Sequence, residues 1–250
     1  MEKLTNSRVL VLGATSAIAQ ATARYFAAAH ACLFLVARDE AKLQTLAEDL
    51  LARGAQSVNI CAMDLTDYSD QRGLISRAKA ELGGLDAALI AHGVLPDQFI
   101  CEHDTAALRR SLDTNCVSVV SWLSELADVF ESQRCGVIAV IGSVAGDRGR
   151  RSNYIYGSAK AAVDAFSAGL RARLGKAGVS VVLIKPGFVD TPMTAHLKKS
   201  ALYASAQQVA RGIYKSMLSP RPVVYLPWFW KWIMMIVKVI PEPVFVRLNL

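Results

Sequence analysis

The feature that most constrains this chain is a regular alternation of two residue patterns. Short apolar runs, RVLVLG (8–13), CLFLVA (32–37), SVNICAM (57–63), LDAALIA (85–91), GVIAVIG (136–142) and VSVVLIK (179–185), are separated by longer segments. In 17–30, 39–53 and 67–82 the apolar positions recur every three and four residues, which is the period of an amphipathic helix. Runs that are apolar throughout, rather than alternating, suit strands covered on both faces. Strand–helix alternation at this interval predicts right-handed βαβ units in a parallel, doubly wound sheet. No Gly/Ser/Pro-rich linker or internal repeat divides the 250 residues, so 1–250 reads as one α/β domain.

Composition narrows the function classes. An apolar content of 53% excludes a disordered chain. The net charge of +7 raises nucleic acid as a partner, but the basic residues are scattered apart from Arg148, Arg150 and Arg151. No basic tail, RNA-binding motif or Cys/His zinc spacing occurs, so neither nucleic acid nor a metal is expected. Cysteines 32, 61, 101, 116 and 135 are odd in number and widely spaced, as reduced thiols are. MEKLTNSRVL lacks the apolar core of a signal peptide, and a cytoplasmic protein is expected.

The first strand runs into GATSAIA (13–19) and then a helical stretch. Ligands of open α/β sheets collect at the carboxyl ends of the strands, and a helix N-terminus there suits a pyrophosphate. The loop has Gly13 but Ala17 and Ala19 at the other glycine places, and alone it reads equally as a plain strand–helix turn. The second strand ends in Ala37 and Arg38, where an acidic residue usually meets a ribose 2′-hydroxyl. A guanidinium suits a 2′-phosphate instead, which favours NADP(H) over NAD(H). The alternative is a solvated Arg38 paired with Asp39.

The fifth strand is followed by SVAGDRGRRSNYIYGSAK (143–160). Tyr156 and Lys160 stand four residues apart and share a helix face. A phenol, with a reference pKa of about 10, is a weak donor near neutrality. A nearby ammonium would lower that value and make the tyrosine a usable acid/base. The Ser143 hydroxyl at the strand end could meet the same substrate oxygen. Y-x-x-x-K by itself is common on helix surfaces; its ordered company decides the matter.

That company is MDLTD (63–67), TNCVS (114–118), IGSVAG (141–146), YGSAK (156–160) and KPGFVDTPM (185–193), all in one order. With these, the chain resembles the short-chain dehydrogenase/reductase family over essentially its whole length. The resemblance implies a single Rossmann-type domain of about seven parallel strands flanked by helices, with an apolar, basic C-terminal helix. Residues 1–135 would mainly bind dinucleotide, 136–195 would be catalytic, and 190–250 would form a substrate flap and apolar extension. Tyr156 would exchange a proton with the substrate oxygen, Ser143 would orient that oxygen, and Lys160 would hold the nicotinamide ribose and depress the tyrosine pKa. Asn115 would support a water leading to the lysine. Gly13, Thr15, Ser16, Ala17 and Ile18 would line the pyrophosphate loop. Asp64 and Leu65 would meet the adenine, Ala91 and Gly93 the adenosine side, and Pro186, Gly187, Val189 and Thr191 the nicotinamide end.

The chain departs from the family at IAHG (90–93), where Asn-Asn-Ala-Gly is usual; His92 reads as a structural imidazole rather than a catalyst. Within the family, IAHGVLPDQ, SVAGDRGRRSNYIYGSAKA, KPGFVDTPMTAHLKK and the tail resemble the branch that reduces a decaprenylphosphoryl 2-keto-pentose. This implies a lipid-linked ketone or alcohol substrate, whose phosphate Arg148, Arg150, Arg151, Lys198 and Lys199 could meet. A 3-ketoacyl, sphingoid-base or steroid reductase, or a non-catalytic dinucleotide sensor, are the alternatives. A homodimer or homotetramer packed through long helices at 102–132 and 153–175 is also implied.

The apolar run Val223–Ile240 holds three of the four tryptophans, two lysines and Pro227. It is short for a membrane span, which needs about 20 mainly apolar residues. Trp228–Ile240 suits a membrane interface, with Lys231 and Lys238 on one helix face. A cover on the substrate pocket or a buried subunit contact would use the same residues.

Overall fold

The structure, a computed structural model, describes residues 6–195 and 199–248. The chain begins β1 (Arg8–Leu12), α1 (Ala17–Ala27), β2 (Cys32–Ala37), α2 (Glu40–Ala52), β3 (Ser57–Ala62), α3 (Gln71–Leu82) and β4 (Ala87–Ile90). It continues with α4 (Gln98–His103), α5 (Thr105–Leu112), α6 (Ser118–Gln133), β5 (Val137–Ile141), α7 (Tyr154–Gly175) and β6 (Ser180–Pro186). Then follow β7 (Val189–Asp190), β8 (Ala204–Ser205), α8 (Ala206–Leu218), β9 (Val223–Leu226), α9 (Trp230–Val239) and α10 (Glu242–Phe245).

Seven parallel strands form one sheet in the order β3-β2-β1-β4-β5-β6-β9, while β7 and β8 make a small separate pair. The period-two alternation of strand side chains decides which core each residue enters. Val9 and Val11 of β1 face Phe26 of α1, Leu43 and Leu50 of α2 and Ile213 of α8. Leu10 and Leu12 face the opposite layer, with Leu74 of α3, Trp122 and Phe130 of α6 and Leu174 of α7. Both faces are therefore dry, which is why the strands read as unbroken apolar runs. Chain direction across the sheet reverses between β1 and β4, so a crevice opens beyond their carboxyl ends.

The six strands expected from the sequence all form. The seventh, β9, pairs with β6 through Leu183–Val223 and Pro186–Leu226. It occupies the first four residues of the apolar run Val223–Ile240, and helix α9 starts only at Trp230. The pattern was ambiguous because a run apolar on all sides serves a buried strand and a buried helix alike. The expected long helix over 102–132 is broken. Asp104 ends α4 and caps α5 by accepting from the Ala106 amide (2.8 Å). A π-helical turn, Asp113–Val117, then separates α5 from α6. Among the described residues no helix is long and apolar enough to cross a membrane.

Candidate active site

The crevice at the carboxyl ends of β1, β4, β5 and β6 is a cavity of about 480 Å³. At one end lies the β1–α1 turn. Ser16 caps α1 by accepting from the Ala19 amide (3.2 Å), which aims the helix N-terminus into the cavity. Gly13 sits at φ 80°, and a Cβ there would stand 2.6 Å from the His92 backbone nitrogen, so this turn closes only with glycine. Gly13, Thr15, Ser16, Ala17 and Ile18 all line the cavity. Ala17 packs its methyl toward the small contact of Ala21, Ala206 and Ala210.

Beyond β2 and β3, Arg38, Asp64 and Leu65 line the same end. Asp39 does not pair with Arg38. It caps α2 at the Lys42 amide (3.0 Å) and bonds the Lys42 ammonium (2.8 Å). Arg38 instead reaches Asp64 at 3.8 Å with its side chain 75% exposed, leaving its fork open to the crevice. Asp64 accepts from the Thr66 amide (2.9 Å) and hydroxyl (2.8 Å), and these bonds hold its carboxyl below the usual range.

The catalytic candidates gather at the other end. Tyr156 and Lys160 lie one turn apart on α7, and the lysine Nζ is 5.7 Å from the centre of the phenol ring. Ser143, after β5, is hydrogen-bonded to Tyr156, and its hydroxyl accepts from the Ala145 amide (3.1 Å). Burial pushes the phenol up to about 12, with the Ser143 bond acting in the opposite direction. The expected depression of this group by Lys160 is absent. The lysine is itself desolvated, which pulls it down to about 8, and its Nζ donates to the Ile141 carbonyl at 2.9 Å.

Asn115 does not line the cavity; it stands behind it, fully buried in the π-helical turn. Its Nδ2 donates to the Ser111 carbonyl (3.0 Å) and its Oδ1 accepts from the Val94 amide (3.0 Å). A Cβ on Gly93 would come within 2.9 Å of that Oδ1 and 3.7 Å of the Lys160 Nζ, so glycine lets the three pack together. Such π-turns are frequent at functional sites. Ala91 and Gly93 line the middle of the cavity, and Pro186, Gly187, Val189 and Thr191 line its far wall.

His92 also lines the cavity and is only half satisfied. The Ser118 hydroxyl donates to the Thr114 carbonyl (2.9 Å), so His92 Nε2–H donates to Ser118 (2.9 Å) and Nδ1 is left as a buried acceptor without a partner. Burial, and then the charge of Lys160, hold the imidazole down to about 3, which makes it neutral and unsuited to donate a proton.

Several features of this end were not legible in the sequence. Lys185 of β6 is buried between Asp147 and Asp164 (2.5 Å to the latter), and the Tyr225 hydroxyl donates to Asp147 at 2.9 Å. This cluster joins the loop after Ser143 to α7, β6 and β9. Long-range burial created it, and no local spacing signals it. Helix α9 packs behind the wall of the cavity, with Trp230 and Met234 against Val144 and Phe188, both of which line it. Fully burying side chains of this size contributes about 1.5–3 kcal/mol each.

Of the basic residues expected near a substrate phosphate, Arg148 is turned away. It donates to the carbonyls of Val237 (2.6 Å) and Ile240 (2.7 Å) and pairs with Glu242 (2.7 Å). Lys199 pairs with Asp190 at 2.8 Å, and Lys198 lies outside the described residues. Arg150 does line the cavity.

The residues present fit a nicotinamide dinucleotide. One elongated cavity has a helix N-terminus and an open guanidinium at one end, an orphaned imidazole acceptor in the middle, and a phenol–hydroxyl pair at the other. Comparison with known proteins agrees. The short chain dehydrogenase family pattern matches residues 7–201. An uncharacterized oxidoreductase of Mycobacterium tuberculosis (strain ATCC 25618 / H37Rv) is 34% identical over 240 residues, spanning 96% of each chain. Another, of Streptomyces coelicolor, is 34% identical over 243 residues, 96% of this chain and 95% of its own. Levodione reductase shares the fold with a TM-score of 0.82 at 22% identity, over 91% of this chain and 98% of its own. A short-chain type dehydrogenase/reductase from Mycobacterium ulcerans does so at 0.78 and 24%, over 88% of each. The chain belongs to the short chain dehydrogenase family of NAD(P)-binding oxidoreductases.

Proposed function

We propose that this protein is an NADP(H)-dependent reductase of a keto group on a sugar carried by a polyprenyl phosphate. The observation that carries this reading is the placing of Ser143 and Tyr156 in a cavity whose wall residues Val144 and Phe188 are backed by Trp230 and Met234 of α9. Trp228, just before that helix, and Trp232, Ile236 and Val239 on it are exposed. A polar headgroup would enter the cavity while its lipid tail follows this apolar outer face. The likeness of residues 90–98, 143–161 and 185–199 to the decaprenylphosphoryl 2-keto-pentose reductase branch points the same way.

A bound nicotinamide dinucleotide supplies the hydride. Ser143 holds the substrate oxygen against the Tyr156 hydroxyl, which donates the proton as the carbonyl is reduced. Lys160, near the ring and behind Gly93, holds the nicotinamide ribose, and Asn115 fixes the Gly93–Val94 backbone beside it. Arg38 receives the 2′-phosphate, because Asp39 is committed to its cap and Asp64 touches it only at 3.8 Å. Gly13, Thr15, Ser16, Ala17 and Ile18 cradle the pyrophosphate, Asp64 and Leu65 the adenine, Ala91 and Gly93 the adenosine ribose. Pro186, Gly187, Val189 and Thr191 hold the nicotinamide. In this division residues 1–135 serve mainly the dinucleotide, 136–195 the chemistry and 190–250 the substrate. The protein works as a homodimer or homotetramer, packed through the helices of 102–132 and 153–175, on the cytoplasmic surface of a membrane.

The test is NADPH and NADH oxidation by purified protein with polyprenyl-phosphate keto-sugars and with 3-ketoacyl thioesters. Turnover of the keto-sugar with NADPH, reduced about 10²–10⁴-fold in Tyr156→Phe, supports the reading. Preferential turnover of the thioester replaces it with a ketoacyl reductase, and dinucleotide binding without any turnover replaces it with a sensor.

A further inference from the structure

The three arginines between Ser143 and Tyr156 have separate positions. Arg148 is held by the C-terminal segment, Arg151 is exposed, and Arg150 lines the catalytic end of the cavity. Arg150 is poorly partnered for a cation. Its Nη2 donates to the thioether sulfur of Met234 (3.4 Å), and its buried Nε has no hydrogen-bond partner. A guanidinium does not lose its proton in a protein, and the carboxylate that acts on this one, Asp147, is already bonded by Lys185 and Tyr225.

Three residues on, Asn153 holds the N-cap position of α7 but its side chain makes no cap bond. Its Oδ1 is buried without a partner, and it too lines the cavity. The two residues share one turn, in which the Asn153 amide donates to the Arg150 carbonyl at 3.1 Å. Buried polar atoms are nearly always satisfied, and two orphans on one turn beside the reacting hydroxyls call for a missing partner. The surrounding wall is apolar, formed by Val144, Phe188 and Met193.

We propose that Arg150 and Asn153 form a substrate subsite for an oxyanion and a neighbouring hydroxyl, so that an acidic, hydroxylated ketone is selected over a neutral one. The proposal rests on the oxidoreductase reading of this site and names its substrate chemistry. Arg150 pairs with the oxyanion, the Asn153 carbonyl accepts from the hydroxyl, and the apolar wall takes the remaining body of the molecule.

The test compares NADPH oxidation with two matched pairs, dihydroxyacetone against its phosphate and cyclohexanone against 4-oxocyclohexanecarboxylate. A charge-assisted bond of about 1.5–3 kcal/mol corresponds to a preference of roughly 10- to 150-fold in kcat/KM for the anionic member. Preference in both pairs shows that any oxyanion serves; preference in the first alone shows a phosphate subsite, and either upholds the proposal. Arg150→Gln, checked for native circular dichroism, should bring the ratio close to one, and Arg150→Lys should retain part of it. Asn153→Ala should lower kcat/KM more for the hydroxylated pair than for the cyclohexanone pair. Equal use of charged and neutral ketones by the wild type, or a preference that survives in Arg150→Gln, overturns the proposal. Should neither pair turn over, the keto-sugar assay alone decides the proposed reaction, and calorimetry decides the subsite by itself. Ribose 5-phosphate titrated into NADP⁺-saturated protein should then bind at least about tenfold more weakly to Arg150→Gln, and equal binding overturns it.

Discussion

The guanidinium of Arg148 lies 3.7 Å from the centre of the Phe245 ring. Five residues after Ser143, it also bonds two carbonyls at the end of α9 and the carboxylate of Glu242. The loop carrying Ser143 and the helix packed behind the cavity wall are thus one packed unit, joined by a fork that no lysine can reproduce.

Arg148→Ala should loosen that unit. Two carbonyl bonds to a charged donor, at about 1.5–3 kcal/mol each, and a cation–π contact of about 1 kcal/mol are lost. Backbone hydrogen exchange in residues 230–245 should accelerate well beyond any change in α1 or α2, and Arg148→Lys should recover only part. Unchanged exchange in that segment would show that Trp230 and Met234 hold the helix unaided.

Much of this arrangement was legible in the sequence and some was not, for physical reasons. Strand and helix positions follow from periodicity because both sheet faces are buried. The cavity-lining residues follow from turns at the carboxyl ends of strands, where position in the chain fixes position in space. Arg148, Arg150 and Lys185 are different. Three arginines within four residues look equivalent in sequence, and only the docking of α9 directs one toward the chain end and another into the cavity. Lys185 looks like an ordinary turn residue until Asp147, Asp164 and Tyr225 converge on it from other elements.

That buried cluster yields a pH-dependent prediction. Lys185→Met leaves Asp147 and Asp164 facing one another without a cation, and removing one partner of a buried pair costs about 3–5 kcal/mol. Burial already raises the Asp164 carboxyl. Falling pH therefore protonates it and relieves the repulsion, so the penalty should be largest at pH 8 and smaller at pH 5. Urea denaturation of wild type and variant at the two values measures this. A penalty independent of pH would mean that the carboxylates find other compensation.

The proposed preference for NADP(H) is tested at Arg38. If Arg38 receives the 2′-phosphate, Arg38→Ala removes a charge-assisted contact worth about 1.5–3 kcal/mol. The KM for NADPH should rise roughly 10- to 150-fold, while that for NADH should stay within about twofold. Equal effects on both cofactors would place Arg38 outside the 2′ site.

The alkaline limb of the pH profile should report Lys160 rather than Tyr156. In the reduction direction the phenol must carry its proton, and it keeps it up to about 12. Lys160 loses its charge near 8, because burial favours the neutral amine. The value of kcat/KM, which reflects groups of the free enzyme, should thus fall as pH rises through about 8. A limb that stays flat to pH 10 would show that the lysine acts as well when neutral.

The outer face of α9 carries the membrane proposal. Trp228 is 72% exposed and Trp232 51%, with Lys231 and Lys238 also exposed on the same helix segment. Deleting the segment would be a poor test, because it would also strip Trp230 and Met234 from the core they form with Val144 and Phe188. The double substitution Trp228→Ser and Trp232→Ser changes only outward groups. It should leave the melting temperature nearly unaltered while weakening sedimentation with vesicles on the order of tenfold or more, since each ring loses apolar area to bury. Lys231→Glu with Lys238→Glu should weaken binding to vesicles rich in phosphatidylglycerol, by about 1 kcal/mol per lysine, and leave binding to neutral phosphatidylcholine unchanged. Equal vesicle binding by wild type and both variants would instead leave this face for a second copy of the chain. Light scattering would then show a smaller assembly for the tryptophan variant than for the wild type.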